Sequence, residues 1–182
     1  MSDPRIHPTT PPAEVMGLDL GTHCGVAWLR RGEILAADLH WTGRDGPGKD
    51  WHDFLTLLEG HRPTLVVFPA HRPARGGQGA AADRAATRAV LHGFLEFYAY
   101  KHGAEILSVA PATLHSYATG RGHADPSELE AEARRHLGLR DPTHHQALAA
   151  WALRFGLERA GRAQAMASLR HRPARMNGSA RV

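Results

Sequence analysis

The chain has 182 residues, of which 42% are apolar and 22% charged, values that suit one globular domain and exclude a disordered or fibrous chain. Of the 22 basic and 18 acidic side chains, Arg170, Arg172, Arg175 and Arg181 alone account for the net charge of +4, so overall basicity says little about nucleic acid. No run approaches the roughly 18 apolar residues of a membrane span, and the single Cys24 excludes a disulfide framework or a Cys-rich zinc site.

The N-terminal MSDPRIHPTTPPAE lacks the apolar core of a secretory signal, which makes a reducing cytoplasm the expected compartment. Proline and polar groups over residues 1–14 predict a disordered arm. Val15–Leu20, Cys24–Leu29 and Glu33–His40 are short apolar or alternating runs joined by tight turns, and predict an antiparallel meander. Trp41–Gly48 is a glycine-rich loop, after which Trp51, Phe54, Leu55 and Leu58 recur at helical spacing. Thr64–Phe68 is β-branched and apolar, as a buried parallel strand requires.

AHRPARGGQG then predicts a loop, Ala81–His102 a long helix and Glu105–Val109 another buried strand. Short helices are predicted over Pro111–Ala118 and Pro126–Leu137, separated by the flexible Thr119-Gly120-Arg121-Gly122 turn. Asp141-Pro142-Thr143 opens a last helix to about Glu158, and a loose basic tail follows from Gly161. The expected architecture is a single α/β domain over residues 15–160, a mixed sheet flanked by helices, with a basic tail over 161–182.

Met16-Gly17-Leu18-Asp19-Leu20-Gly21-Thr22, with Gly25 after it, places a carboxylate at the end of a central strand beside a sharp turn. This opening resembles the ribonuclease-H-like superfamily. Actin-like sugar kinases and ATPases share it, but they need two such lobes and this chain has room for one. Three further segments resemble the RuvC-type Holliday-junction resolvases, especially their phage-like branch. Thr64–Phe68 looks like the strand that normally ends in a catalytic glutamate. Residues 110–124 look like the family's P-x-x-L-K-x-x-x-T-G-x-G-x-A stretch, and Ala147-Leu148-Ala149 like its terminal D-A-L-A helix.

The resemblance implies two-metal phosphodiester cleavage by magnesium or manganese, held by three or four carboxylates. Only Asp19 is clearly present. Pro69 stands at the second position, Thr143 or His144 and Gln146 at the last two, and His115 replaces the family's lysine. One acid among imidazole, amide and hydroxyl groups leaves two divalent ions under-neutralised, so a degenerate centre with no metal cofactor is the main expectation. A softer ion on Asp19 with His71 and His144 or His145 is the alternative, although with 14 histidines surface or helix-start roles compete.

Arg62, Arg72, Arg75, Arg84 and Arg88 surround a single acid, Asp83, on a loop and helix start that border the cleft in this resemblance. They are expected to follow DNA phosphates, with His115 and Arg121 near the flexible turn, unless they are simply solvated. Phe94, Phe97, Tyr98 and Tyr100 are read as core or dimer packing rather than base stacking, Trp151 as core, and Cys24 as inert packing. The expected function is branched-DNA binding by a homodimer that has lost metal-dependent cleavage. The alternatives are an active structure-selective endonuclease with a His-containing metal site, and a protein-assembly role on the same fold.

Overall fold

A computed structural model describes residues 14–41, 47–70 and 80–170. Strands β1 (Val15–Asp19), β2 (His23–Arg30), β3 (Glu33–His40), β4 (Leu65–Pro69) and β5 (Glu105–Val109) form one sheet in the order β3-β2-β1-β4-β5. The β1–β2 and β2–β3 pairs are antiparallel, whereas β1–β4 and β4–β5 are parallel. Helices α1 (Pro47–His61), α2 (Ala80–His102), α3 (Pro111–Thr119), α4 (Pro126–Leu137) and α5 (His144–Arg170) complete the fold. This is the mixed sheet with flanking helices that the sequence predicts.

Strand alternation sorts the sheet into two faces. Met16, Leu18, Leu20, Cys24, Val26, Val66 and Phe68 join Phe54 and Leu58 of α1 and Leu91, Leu95 and Tyr98 of α2 in one core cluster. Val15, Ala27, Leu65, Val67 and Val109 face the other way, onto α5, which α3 and α4 then cover. Trp151 is buried there and its indole N–H donates to the Leu129 carbonyl at 3.3 Å.

The α5 face is built for close approach. Residues Ala147–Leu153 of α5 are all buried, and four of them are alanines. A Cβ added at Gly17 would come within 2.0 Å of the Ala149 carbonyl oxygen, and one at Gly25 within 2.0 Å of that of His145. The helix backbone therefore lies directly on β1 and β2.

One expectation is corrected. Helix α5 continues to Arg170 rather than ending near Glu158. Residues 159–170 are rich in Ala, Arg, Gln, Met and Leu, strong helix formers, and the lone Gly161 costs only about 1 kcal/mol relative to alanine. Of the α2 aromatics, Phe94 packs on the core and Tyr98 is buried with its hydroxyl on the Pro63 carbonyl at 3.3 Å, while Phe97 and Tyr100 are 55% and 91% exposed.

Candidate active site

One row of residues crosses the sheet at the C-terminal end of β1. Asp19 pairs with Gly25 of β2, and Gly25 with Asp38 of β3. On the other side β1 and β4 run parallel with Gly17 beside Val67, and continuing that register brings Pro69 level with Asp19. In-register residues on neighbouring strands point to the same face. The row Asp38–Gly25–Asp19–Pro69 therefore faces the first turn of α5, with His23 and His40 one step further along the same face.

The start of α5 is bound into this row. The Asp19 side chain is buried, and His145 Nδ1 lies 2.6 Å from its Oδ2. That hydrogen bond, opposed by burial, holds the His145 imidazole above its ordinary pKa. The Thr143 hydroxyl donates to Asp38 at 2.9–3.0 Å, and the Gln146 amide donates to Asp38 Oδ2 at 3.1 Å.

Thr143 and Gln146 also cap the helix reciprocally. The Gln146 N–H donates to Thr143 Oγ1, and the Thr143 N–H donates to Gln146 Oε1, both at 3.2 Å. This T-x-x-Q arrangement is a capping box, which satisfies two of the amides that a helix start leaves without partners. Two carboxylates at that end also suit the positive pole of the helix. His23 and His40 sit edge to face with ring centroids 4.8 Å apart, and the His23 ring is 5.8 Å from that of His145.

The structure brings together Asp19, Pro69, Thr143 and Gln146 from the expected set. His144 makes no hydrogen bond to Asp19; its Nδ1 is buried without a partner, and burial pushes its pKa down. The histidine that meets Asp19 is His145, one residue later and about 100° round the helix. Asp141, too early in the sequence reading to share that face, is solvent-exposed and pairs with Arg134 at 3.7 Å.

Arg88 reaches the cleft and donates from Nε to the Leu20 carbonyl at 3.0 Å, while Arg84 is exposed one turn earlier. Arg62 instead lies at the opposite end of β4, away from Asp19. His115 Nδ1 accepts from the Ala124 N–H at 3.3 Å, and burial lowers its pKa. Arg121 is exposed and paired with Glu128. His71, Arg72 and Arg75 lie outside the described residues.

Sequence reasoning missed Asp38, His23 and His40. Their face is set by the β2–β3 register, and the signal was the i, i+2 spacing of His23 with Gly25 and of Asp38 with His40 in an antiparallel hairpin.

This donor set does not fit a magnesium pair. Magnesium takes several hard oxygen ligands, but Asp19 is already hydrogen-bonded to His145, the Pro69 side chain offers no ligating atom, and Asp38 is two strands, about 10 Å, away. Among the described residues no three of His, Cys, Asp and Glu are grouped so as to hold one metal ion.

No family model and no curated relative matches the sequence. Solved structures do. Thermus thermophilus RuvC is 25% identical, with 81% of this chain and 96% of that one covered at a TM-score of 0.58. The same protein in complex with Holliday junction substrate aligns at 22% identity and a TM-score of 0.62, over 82% and 96% of the two chains. The fold is that of the RuvC-type resolvases. The yeast mitochondrial Holliday junction resolvase Ydc2 shares it at 15% identity and a TM-score of 0.52, covering 89% of this chain and 86% of its own. Within this RuvC-type fold, no helix among the described residues is long and apolar enough to cross a membrane.

Proposed function

We propose that the protein is a RuvC-like binder of branched DNA, acting in the cytoplasm, in which metal-dependent strand cleavage has been lost. The supporting observation is the 2.6 Å contact between His145 and Asp19: the retained carboxylate is engaged in holding α5. Its neighbour in the row is Pro69, and Thr143 and Gln146 serve as the helix cap. A cluster of this kind preserves the shape of the cleft while removing the acids that two divalent ions require.

Binding itself needs only phosphate contacts. Arg84 and Arg88 of α2, His115 of α3 and Arg121 just beyond it supply them, joined by Arg72 and Arg75. The junction bound by the T. thermophilus protein of the same fold supports branched DNA as the ligand. Val90, Phe97 and Tyr100 are the exposed apolar residues of α2, and at i, i+7 and i+10 they share one helix face, which suits a homodimer that presents two clefts to a two-fold junction.

Gel-shift and cleavage assays on four-way, flap and linear DNA with magnesium or manganese test this reading. Structure-selective binding without nicking is expected, and Asp19→Asn leaves the binding unchanged. A second reading, an active endonuclease with an altered metal site, draws on Asp38, a second carboxylate in the row of Asp19. Nicking that a chelator stops and that both Asp19→Asn and Asp38→Asn abolish would select it instead.

A further inference from the structure

At the opposite end of the sheet from Asp19, a groove of about 610 Å3 opens where β1 begins and β2 ends. Strand β2 has eight residues, so its two ends are about 23 Å apart, and the groove is separate from the cleft. Trp28 and His61 line it with ring centroids 5.0 Å apart, together with Leu29, Leu157, Arg30 and Glu14. Leu29 is 46% exposed, an uncovered apolar residue at the mouth of a groove.

One cationic side chain lines it, and two more stand next to lining residues in the chain. Arg30 lines the groove, Arg31 follows it at the tip of the β2–β3 turn, and Arg62 lies between the lining residues His61 and Pro63. Arg31 and Gly32, at φ 54° and 86°, make the tight turn that projects this tip. Arg121, Arg135 and Arg154 each hold a glutamate. Arg30, Arg31 and Arg62 carry no ion pair among the described residues. Against them stand Glu14 in the groove and Glu33, which lies opposite Arg30 in the hairpin register.

Aromatic rings beside guanidinium groups form the usual platform for single-stranded nucleic acid, where bases stack and phosphates meet arginine. We infer that this groove is a second nucleic-acid contact, taking a single-stranded DNA segment whose bases lie against Trp28 and His61 and whose phosphates meet Arg30 and Arg62. The inference rests on the branched-DNA reading: a protein with a junction arm in its cleft holds an unpaired strand at the far end of the sheet. An acidic peptide is the competing occupant, and the aromatic pair favours DNA.

The test is fluorescence anisotropy with the full chain and four probes: labelled dT12, a blunt four-way junction, the same junction with one dT12 tail, and a labelled polyglutamate 12-mer. Wild type is expected to bind dT12, and to bind the tailed junction at least tenfold more tightly than the blunt one. The double variant Arg30→Gln, Arg62→Gln, at two exposed positions, is expected to lose that gain while holding the blunt junction within twofold. The log–log salt slope for dT12 should become shallower by about 1.4, the equivalent of two phosphate contacts on a single strand.

The inference is overturned by a gain that survives in the variant, by wild type showing no gain or no dT12 binding, or by polyglutamate binding as tightly as dT12. Failure of the underlying reading looks different: a blunt junction held no better than linear duplex, with dT12 still bound through Arg30 and Arg62, removes the branched-DNA reading and leaves the groove as assigned.

Discussion

The middle of α5 and the side chains of its first turn meet the same sheet in different ways. In the middle, alanines and glycines let backbone touch backbone, and every residue from Ala147 to Leu153 is buried. At the first turn, carboxylates, imidazole, hydroxyl and amide form a hydrogen-bonded knot with part of its surface open. The middle fixes where the helix lies; the first turn fixes which groups face the cleft. Chemistry can therefore change at the first turn of the helix while the fold that its middle maintains stays in place.

The sharpest way to break this contrast is Gly17→Val. Its Cβ would come within 2.0 Å of the Ala149 carbonyl, so α5 must lift off β1. Overpacking against backbone is expected to cost about 3 kcal/mol or more, read as a large loss in urea midpoint or failure to fold. Asp38→Ala comes next. It removes the acceptor for Thr143 and Gln146 at a half-exposed site, and a loss of about 1–2 kcal/mol is expected from urea melts. Thr143→Ala removes the cap but spares Asp38, and should cost about 1 kcal/mol in the same assay.

The smallest effect is a pH dependence. The folded pKa of His145 is raised, chiefly by its hydrogen bond to Asp19. Its contribution to stability is therefore full below the unfolded value of about 6.5 and is lost as pH rises through the folded value. His144, whose pKa burial lowers, has the opposite sign: its contribution is present above about 6.5 and is lost as pH falls. Urea midpoints of wild type and His145→Gln from pH 5.5 to 9 separate the two. The difference between the proteins should shrink as pH rises.

Much of the architecture was legible in the residues. Short apolar runs with Gly21, Arg31-Gly32 and Pro111 between them mark the strands and the helix starts, because turn chemistry acts over a few residues. The end of α5 was not legible, since a lone Gly161 among good helix formers reads as a stop but is a small penalty. At the site, Asp19 and Pro69 follow from strand ends. Asp38 does not, because only the β2–β3 register places it beside Gly25. His145 could not be separated from His144, because one residue of helical phase decides which ring meets the acid.

The capping box has a bearing on descent. An acid at position 146 could still cap Thr143 but would replace the amide that donates to Asp38 with a second carboxylate beside it, while an acid at 69 would stand level with Asp19, whose carboxylate already meets imidazole. On the reading proposed above, neither single change would assemble a site for two ions, and the first would set like charges side by side at Asp38, so the altered cleft would act as a ratchet against one-step reversal.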